Sequence, residues 1–362
     1  MNLFKNLASL SGLSSKVKFL ISPILKTHLI ALIGAGLFLF INAPLPWLFG
    51  PLTSCLIAAL FGYKLKVYKP LGDGMRTILG VAVGAAVTPA FFYSIPSLTA
   101  TLLIIPLFTV LIGLLGVLFF RKFFKFDFPT AYFSSMPGGV QDMIMFAEEA
   151  GANVRSVSLI HATRILVIVV FLPIVLSSVW EINLTNPPGM PIKELQPLQL
   201  LLLLVSAVFG WRIAKKVGLF GASILGPLIL AAVFSLSGLL TNRPPAEIIW
   251  AAQYFIAIGI GVKYVGISSI EIRRDILAGL IFSILLLLLT TCVLVLVLIL
   301  KIAEPVEAIL SFAPGGQGEL VVLAIIVGAD LTFVVAHHLL RIFFVILGAP
   351  IVMAMLPQKY KN

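Results

Sequence analysis

The residues with the clearest chemical potential occur twice in this chain, in the same order and at the same spacing. Residues 137–165 align with residues 314–342 at an offset of 177 without a gap, and ten of the 29 positions are identical. Both segments begin with Pro-Gly-Gly and end with a histidine and an arginine three residues apart: His161 and Arg164, then His338 and Arg341. Ionisable residues in apolar spans are expensive to bury and are functional-site candidates by default.

Each Pro-Gly-Gly triplet is expected to interrupt a helix. A helix that begins after the triplet points free N–H groups and its positive dipole end toward the break, which favours anions or polar oxygens there. The first turn of each helix carries an acidic residue, which either caps the helix or lines the break. The predicted substrate-binding residues are Pro137, Gly138, Gly139, Asp142, His161, Arg164, Pro314, Gly315, Gly316, Glu319, His338 and Arg341.

Two interpretations of the arginines remain open. In the first, Arg164 pairs with Asp142, and the equivalent arginine pairs with Glu319, so that an ion pair locks the broken segment to the next helix. In the second, the arginines face a shared solute cavity. The histidines either hydrogen-bond a neighbouring helix or belong to that cavity. We expect no catalytic residue and no metal site, because the sequence contains no P-loop, no H-E-x-x-H motif and no Cys/His cluster.

Membrane helices are the elements that must position these residues. The chain is 60% apolar and 11% charged, and its mean hydropathy is +1.14. Residues 102–120 and 276–300 supply the roughly 20 apolar residues that a bilayer-spanning helix needs. Because lipid cannot satisfy an exposed backbone, the composition predicts an all-α integral membrane protein.

The duplication extends beyond the two motifs, because LFGPL at 48–52 answers ILGPL at 224–228. Each Gly-Pro pair in these sequences is expected to break or kink its helix. The predicted organisation is a cytoplasmic tail 1–27, a first membrane repeat 28–182, a proline-rich linker 183–197, a second membrane repeat 198–356 and a tail 357–362.

The positive charges predict the orientation of the two repeats. The net charge of +11 comes from Lys and Arg clusters between apolar runs, which are typical of topology signals. If each Pro-Gly-Gly segment enters the membrane and returns, each half has about five transmembrane helices plus one re-entrant broken helix. The halves are then inverted, both termini are cytoplasmic, and only Lys193, Arg243 and Lys301 face outward. We therefore predict inverted repeats in the cell inner membrane.

The doubled P-G-G…G-A-[N/D]…R pattern resembles the duplicated motif of the membrane AbrB family over nearly the whole chain. That resemblance implies a polytopic inner-membrane protein, and members of the family are labelled regulators of gene expression or ammonia monooxygenases. The family is distinct from the small soluble DNA-binding AbrB domain, so no direct nucleic-acid binding is expected. The resemblance supplies no catalytic residues.

The leading functional prediction is a secondary transporter or permease-like protein for a small polar or anionic solute, with its site at the repeat interface. The alternative is a membrane sensor or regulator that acts on gene expression through a partner. A monooxygenase is less favoured, because four histidines are few for a copper or iron site. No cofactor is expected, and the expected partners are the lipid bilayer and a small solute, with homo-oligomer formation left open. Valine at Gly138 or Gly315 is expected to be more disruptive than valine at Gly34.

Overall fold

A computed structural model describes residues 23–43, 45–219 and 221–355. All regular secondary structure in these ranges is helical, and they contain no strand. Most of the predicted N-terminal tail and the whole predicted C-terminal tail lie outside the described residues. The first helix begins at Pro23, five residues before the predicted start of the first repeat.

Apart from a short 3₁₀ helix at Ile192–Glu194, the described helices follow one another in two series of seven. The first series is α1 Pro23–Phe40, α2 Pro46–Leu60, α3 Lys69–Gly84, α4 Pro89–Phe124, α5 Phe128–Ser135, α6 Val140–Glu149 and α7 Val154–Val179. The second series is α8 Pro197–Lys216, α9 Ala222–Leu236, α10 Ala246–Gly261, α11 Ser269–Ile299, α12 Pro305–Phe312, α13 Gln317–Val327 and α14 Leu331–Met355. The last three helices of each series begin 177 residues apart, which is the offset of the sequence repeat.

Length and composition identify the helices that can cross a membrane. Among the described residues, α1, α4, α7, α8, α10, α11 and α14 are long and apolar enough. The helices α2, α9 and α13 are apolar but shorter. The chain is therefore a helical, multi-pass membrane protein, and the predicted all-α class is confirmed.

The described residues form two compact units. One contains the residues up to Asp73 together with Ala251–Ile267. In this unit α1 and α2 approach closely, since a Cβ on Gly34 would overlap the carbonyl oxygen of Gly50. The C-terminal end of α10 joins them, and a Cβ on Gly261 would lie 2.7 Å from the Cβ of Cys55 in α2. Gly34 is thus a close-contact position, so valine there should be disruptive, in contrast to the sequence-based expectation.

The other unit contains Gly74–Trp250 and the residues from Ser268 onward. Here α8 and α9 repeat the close approach, because a Cβ on Gly210 would lie 2.6 Å from the carbonyl oxygen of Gly226. The helix α3 packs on α9, where a Cβ on Gly84 would overlap the carbonyl oxygen of Leu228. Each three-helix group therefore combines two helices from one half of the chain with one helix from the other.

The two Gly-Pro pairs do not interrupt their helices. Pro51 lies inside α2 and Pro227 inside α9, and both helices continue through them. Of the predicted break or kink, the break does not occur at these positions. The preceding glycines, Gly50 and Gly226, instead allow the backbone of the neighbouring helix to come close.

Candidate functional site

The first Pro-Gly-Gly triplet lies at the tip of a helical hairpin. At its open end, Thr130 near the start of α5 accepts a hydrogen bond through Oγ1 from the backbone N–H of Asn153, beyond the end of α6, at 2.8 Å. The rings of Phe133 and Phe146 pack between the two helices with centroids 6.4 Å apart. The chain therefore reverses direction at residues 136–139. We call α5, this break and α6 hairpin 1.

The second triplet has the same setting between α12 and α13. Glu307 in α12 accepts a hydrogen bond through Oε1 from the backbone N–H of Asp330, beyond the end of α13, at 3.1 Å. The break covers residues 313–316, between the end of α12 and the start of α13. We call α12, this break and α13 hairpin 2.

Arg164 holds the tip of hairpin 1 from the neighbouring helix α7. Its side chain is 1% exposed, and its two terminal nitrogens donate to the carbonyl oxygens of Met136 at 2.9 Å and Gly138 at 3.1 Å. His161 lies one turn earlier, and its Nε2 donates to the carbonyl oxygen of Phe133 at 2.8 Å. These carbonyls lie at or after the C-terminal end of α5, where the helix dipole favours a cation.

Arg341 and His338 repeat this arrangement from α14. The arginine side chain is 2% exposed, and its Nη1 donates to the carbonyl oxygen of Ala313 at 2.8 Å. The Nε2 of His338 donates to the carbonyl oxygen of Leu310 at 2.9 Å. Both arginines therefore bind the backbone of a break, and both histidines bind the last turn of the preceding helix, through equivalent positions of the repeat.

The predicted ion pairs to Asp142 and Glu319 do not form, and that interpretation of the arginines is wrong. Ion pairs among the described residues include Arg155 with Glu271 and Arg274 with Asp275. Asp142 and Glu319 instead fold back over Gly139 and Gly316, the residues that precede their helices. The acidic residues thus neutralise the N-terminal ends of α6 and α13, while the arginines neutralise the C-terminal ends of α5 and α12.

Each hairpin tip packs against the last helix of the opposite half. A Cβ on Gly138 would lie 3.0 Å from Cγ1 of Val345 in α14, and a Cβ on Gly315 would lie 2.9 Å from Cγ2 of Ile168 in α7. Ile168 and Val345 are themselves 177 residues apart. Arg341 also lies within electrostatic range of Arg164. The structure therefore brings the two predicted half-sites together around α7 and α14.

Several buried polar atoms near the breaks have no hydrogen-bond partner among the described residues. They include Nε of Arg164 and of Arg341, and the hydroxyls of Ser134 and Ser311. Both serines are completely buried and lie at the ends of α5 and α12, at the repeat offset of 177. Buried polar atoms normally have a partner, so these atoms make the two breaks candidates for a binding site. The matched serines upstream of Pro-Gly-Gly were a signal that the sequence-based prediction missed.

A polar cluster joins the starts of α7 and α11. Asp275 is completely buried, accepts a hydrogen bond from Ser156 Oγ at 2.9 Å and pairs with Arg274 at 2.8 Å. Arg155 pairs with Glu271 at 2.7 Å beside it. Asp275 has no counterpart in the first half, so the repeat pattern could not reveal it.

Neither a metal-binding cluster nor the surface cavity described next suggests a different site among the described residues. They contain no group of three or more His, Cys, Asp or Glu side chains that could hold a metal ion. A surface cavity beyond α11 contains none of the predicted site residues, and it is lined by Leu298, Lys301, Ile302, Ala303 and Glu304.

Comparison with known proteins places these features in a family. Residues 47–356 match the family described as "Transition state regulatory protein AbrB". The chain is 24% identical over 338 residues to "Uncharacterized protein YhjN" of Bacillus subtilis (strain 168), covering 87% of this chain and 86% of that protein. It is 25% identical over 325 residues to "Putative regulator AbrB" of Escherichia coli (strain K12), covering 86% and 90%. No solved structure matches. The family match covers most of the chain, including both hairpins, and the chain therefore belongs to the membrane AbrB family.

Proposed function

We propose that this protein is a secondary transporter or permease-like protein for a small polar or anionic solute, which binds at the tips of hairpins 1 and 2. The observation that carries the proposal is the pair of equivalent hairpins, each fixed by a buried arginine and histidine. Secondary transporters commonly place their site where broken helices from corresponding positions of two repeats meet.

The chemistry of the breaks supports a polar or anionic solute. The helices α6 and α13 begin at the breaks, where N–H groups of their first turns can bind polar oxygens beside the Asp142 and Glu319 carboxylates. The hydroxyls of Ser134 and Ser311 and the Nε atoms of the arginines add donors that have no partner among the described residues. Pro137 and Pro314 are buried in the breaks, where proline removes a backbone donor and prevents helix continuation.

The proposed topology has two inverted repeats in the inner membrane, with both termini cytoplasmic. The helices of hairpin 1 contain 8 and 10 residues, about 12 and 15 Å at 1.5 Å per residue, which is half or less of a hydrocarbon core of roughly 30 Å. A hairpin of this depth would enter and leave on one side. With five crossings in each half, the two halves then have opposite orientation, in agreement with the distribution of Lys and Arg.

Cysteine labelling tests this topology directly. Single cysteines at residues 190 and 305, each in a chain whose two native cysteines are replaced by serine, should react with a membrane-impermeant maleimide from the outer face. A cysteine at Lys64 serves as the cytoplasmic control and should react only after the membrane is opened. Protection of either loop in intact cells would contradict the inverted arrangement.

Ligand binding and uptake test the function. We expect purified protein to show an increased melting temperature with one or more organic acids or other small polar solutes, tested beside amines and ammonium. The stabilising solute should then enter proteoliposomes that contain only this protein and lipid. Uptake that is no faster than in protein-free liposomes, for every stabilising solute, would overturn the proposal.

A membrane sensor or regulator is the second candidate, because the family description and the name of the Escherichia coli relative both refer to regulation. A sensor would bind a solute at the same tips but would change gene expression through a partner. Binding without uptake in proteoliposomes, combined with altered transcription in a strain that lacks the protein, would favour this function.

A further inference from the structure

The connection between α2 and α3 brings lysines and aromatic rings together at the protein surface. Residues 61–69 have the sequence FGYKLKVYK, and we call this segment the basic loop. All of its lysines are exposed: Lys64, Lys66 and Lys69. Its aromatic side chains are exposed by 81%, 58% and 60%, in the order Phe61, Tyr63 and Tyr68.

The basic loop is held in place by its backbone and by one apolar side chain. The backbone N–H of Lys66 donates to Oγ1 of Thr27 in α1 at 3.0 Å, and Thr27 is completely buried. Leu65 is only 3% exposed, although the lysines on both sides of it are exposed. The loop is therefore fixed to α1 while its lysine side chains remain at the surface.

The contact with Thr27 places the basic loop at one end of a helix that can cross the membrane. The helix α1 contains 18 residues from Pro23 to Phe40, about 27 Å at 1.5 Å per residue, which is close to a hydrocarbon core of roughly 30 Å. Thr27 lies near the start of α1, so the loop lies near the level of the lipid headgroups. Lys26 precedes Thr27, is also exposed, and adds a fourth lysine at this end.

Positive charge in this region is not balanced by acidic residues of the same stretch. Residues 23–72 contain these four lysines and no Asp or Glu. The second half does not repeat the cluster, because the positions that match the four lysines at the offset of 177 contain one cation: Leu203, Thr241, Arg243 and Ala246. The cluster is therefore a property of the first half alone.

We propose that the basic loop and Lys26 form a binding site for the headgroup of an anionic phospholipid. The ammonium groups of Lys26, Lys64 and Lys66 bind its phosphate oxygens, because clusters of lysines beside a membrane helix attract anionic lipids. Tyr63 and Tyr68 lie at the headgroup level, where tyrosine is enriched. The site shares no residue with hairpins 1 and 2 and does not rest on the proposed function.

Two lipids with identical acyl chains but different headgroup charge test the inference. Purified full-length protein in a neutral detergent is titrated with dioleoylphosphatidylglycerol or dioleoylphosphatidylcholine at constant ionic strength, and native mass spectrometry counts the bound lipids. The ratio of the two apparent affinities is then compared between variants. A general requirement for lipid would affect both lipids equally and would leave this ratio unchanged.

Wild-type protein should prefer phosphatidylglycerol. The double variant Lys64→Gln/Lys66→Gln should lower the preference about 10- to 30-fold, since each lysine near an anionic surface accounts for about a fivefold change. Lys64→Arg/Lys66→Arg should retain the preference, because arginine keeps the charge. The matched control is Lys193→Gln/Arg243→Gln, which removes two exposed cations outside the basic loop and should leave the ratio at the wild-type value.

Three results would overturn the lipid site. They are a wild-type protein without preference for phosphatidylglycerol, an unchanged ratio in the glutamine double variant, and an equal decrease in the matched control. The last result would show that net charge, and not the basic loop, selects the lipid. If the double variant does not fold, Lys64→Gln and Lys66→Gln are measured singly, and unchanged ratios in both would overturn the site. The transporter proposal stands or falls separately, on solute uptake.

Discussion

Hairpins 1 and 2 share the contacts at their tips but differ in the contacts at their open ends. At each tip, a histidine and an arginine three residues later bind carbonyl oxygens 28 residues earlier in the chain. At the open ends, hairpin 1 closes through the Thr130 hydroxyl, whereas hairpin 2 closes through the Glu307 carboxylate. The contacts that close the open ends therefore differ between the two hairpins, whereas the histidine and arginine contacts at the tips are equivalent. This indicates that the geometry of the tip has the stricter requirement.

The two tips also differ in the number of bonds to their arginines. Arg164 donates to two carbonyl oxygens, Met136 and Gly138, whereas Arg341 donates to one, Ala313. Hairpin 1 is thus held more tightly by its arginine. The following predictions test these differences, in order of decreasing expected effect.

Removing the arginines should destabilise the protein most, and hairpin 1 more than hairpin 2. We expect Arg164→Ala to lower the free energy of unfolding by about 2–4 kcal/mol, because two buried carbonyls lose a charged donor. Arg341→Ala should lower it by about 1–3 kcal/mol, since one such bond is lost. Unfolding by sodium dodecyl sulfate in mixed micelles gives both values. An equal loss in the two variants would show that the count of hydrogen bonds does not set the difference.

Adding a methyl group at the tips should have an intermediate effect. Gly138→Ala would press on Met143 and Val345, and Gly315→Ala on Ile168 and Leu320, so each should cost about 1–3 kcal/mol. Gly348→Ala in α14 is the control, because its added Cβ meets no atom within 4 Å, and it should be neutral or slightly stabilising. Unfolding by sodium dodecyl sulfate in mixed micelles measures the free energy of unfolding of all three variants. Tip variants as stable as Gly348→Ala would refute the close packing of the tips.

Changing the open ends should have the smallest effect on stability. Thr130→Val removes the acceptor for the Asn153 N–H and should cost about 1 kcal/mol, whereas Glu307→Gln keeps a weaker acceptor for the Asp330 N–H and should cost less. Hydrogen exchange measured by mass spectrometry should show faster exchange near Asn153 in the first variant. Unchanged exchange there would mean that Thr130 does not close hairpin 1.

The sequence predicted the parts of the site that depend on covalent order and on repetition. The positions of both breaks follow from Pro-Gly-Gly, and the shared setting of the two arginines follows from the offset of 177. The sequence did not predict the partners of the arginines, because every residue has a backbone carbonyl oxygen and no residue type identifies the one that is bound. The sequence therefore suggested a carboxylate partner such as Asp142, whereas Arg164 binds a backbone carbonyl oxygen just beyond the end of α5.

Matching the two halves reveals only residues that occur in both. Asp275 was missed for this reason, because it is buried beside Ser156 but has Leu98 as its counterpart at the repeat offset. The sequence also gave the wrong expectation for Gly34, where the close neighbour is the backbone of another helix and not a side chain that a pattern could identify.

The exchange of helices between the halves has a consequence for biosynthesis. The pair α1 and α2 packs with the end of α10, which emerges from the ribosome about 200 residues after α2. At 5–20 residues per second that is a delay of roughly 10–40 s, during which the first pair lacks its third helix. The first half of the chain therefore cannot mature alone, and the two halves, if produced as separate polypeptides, would have to assemble with each other before either group of three helices is complete.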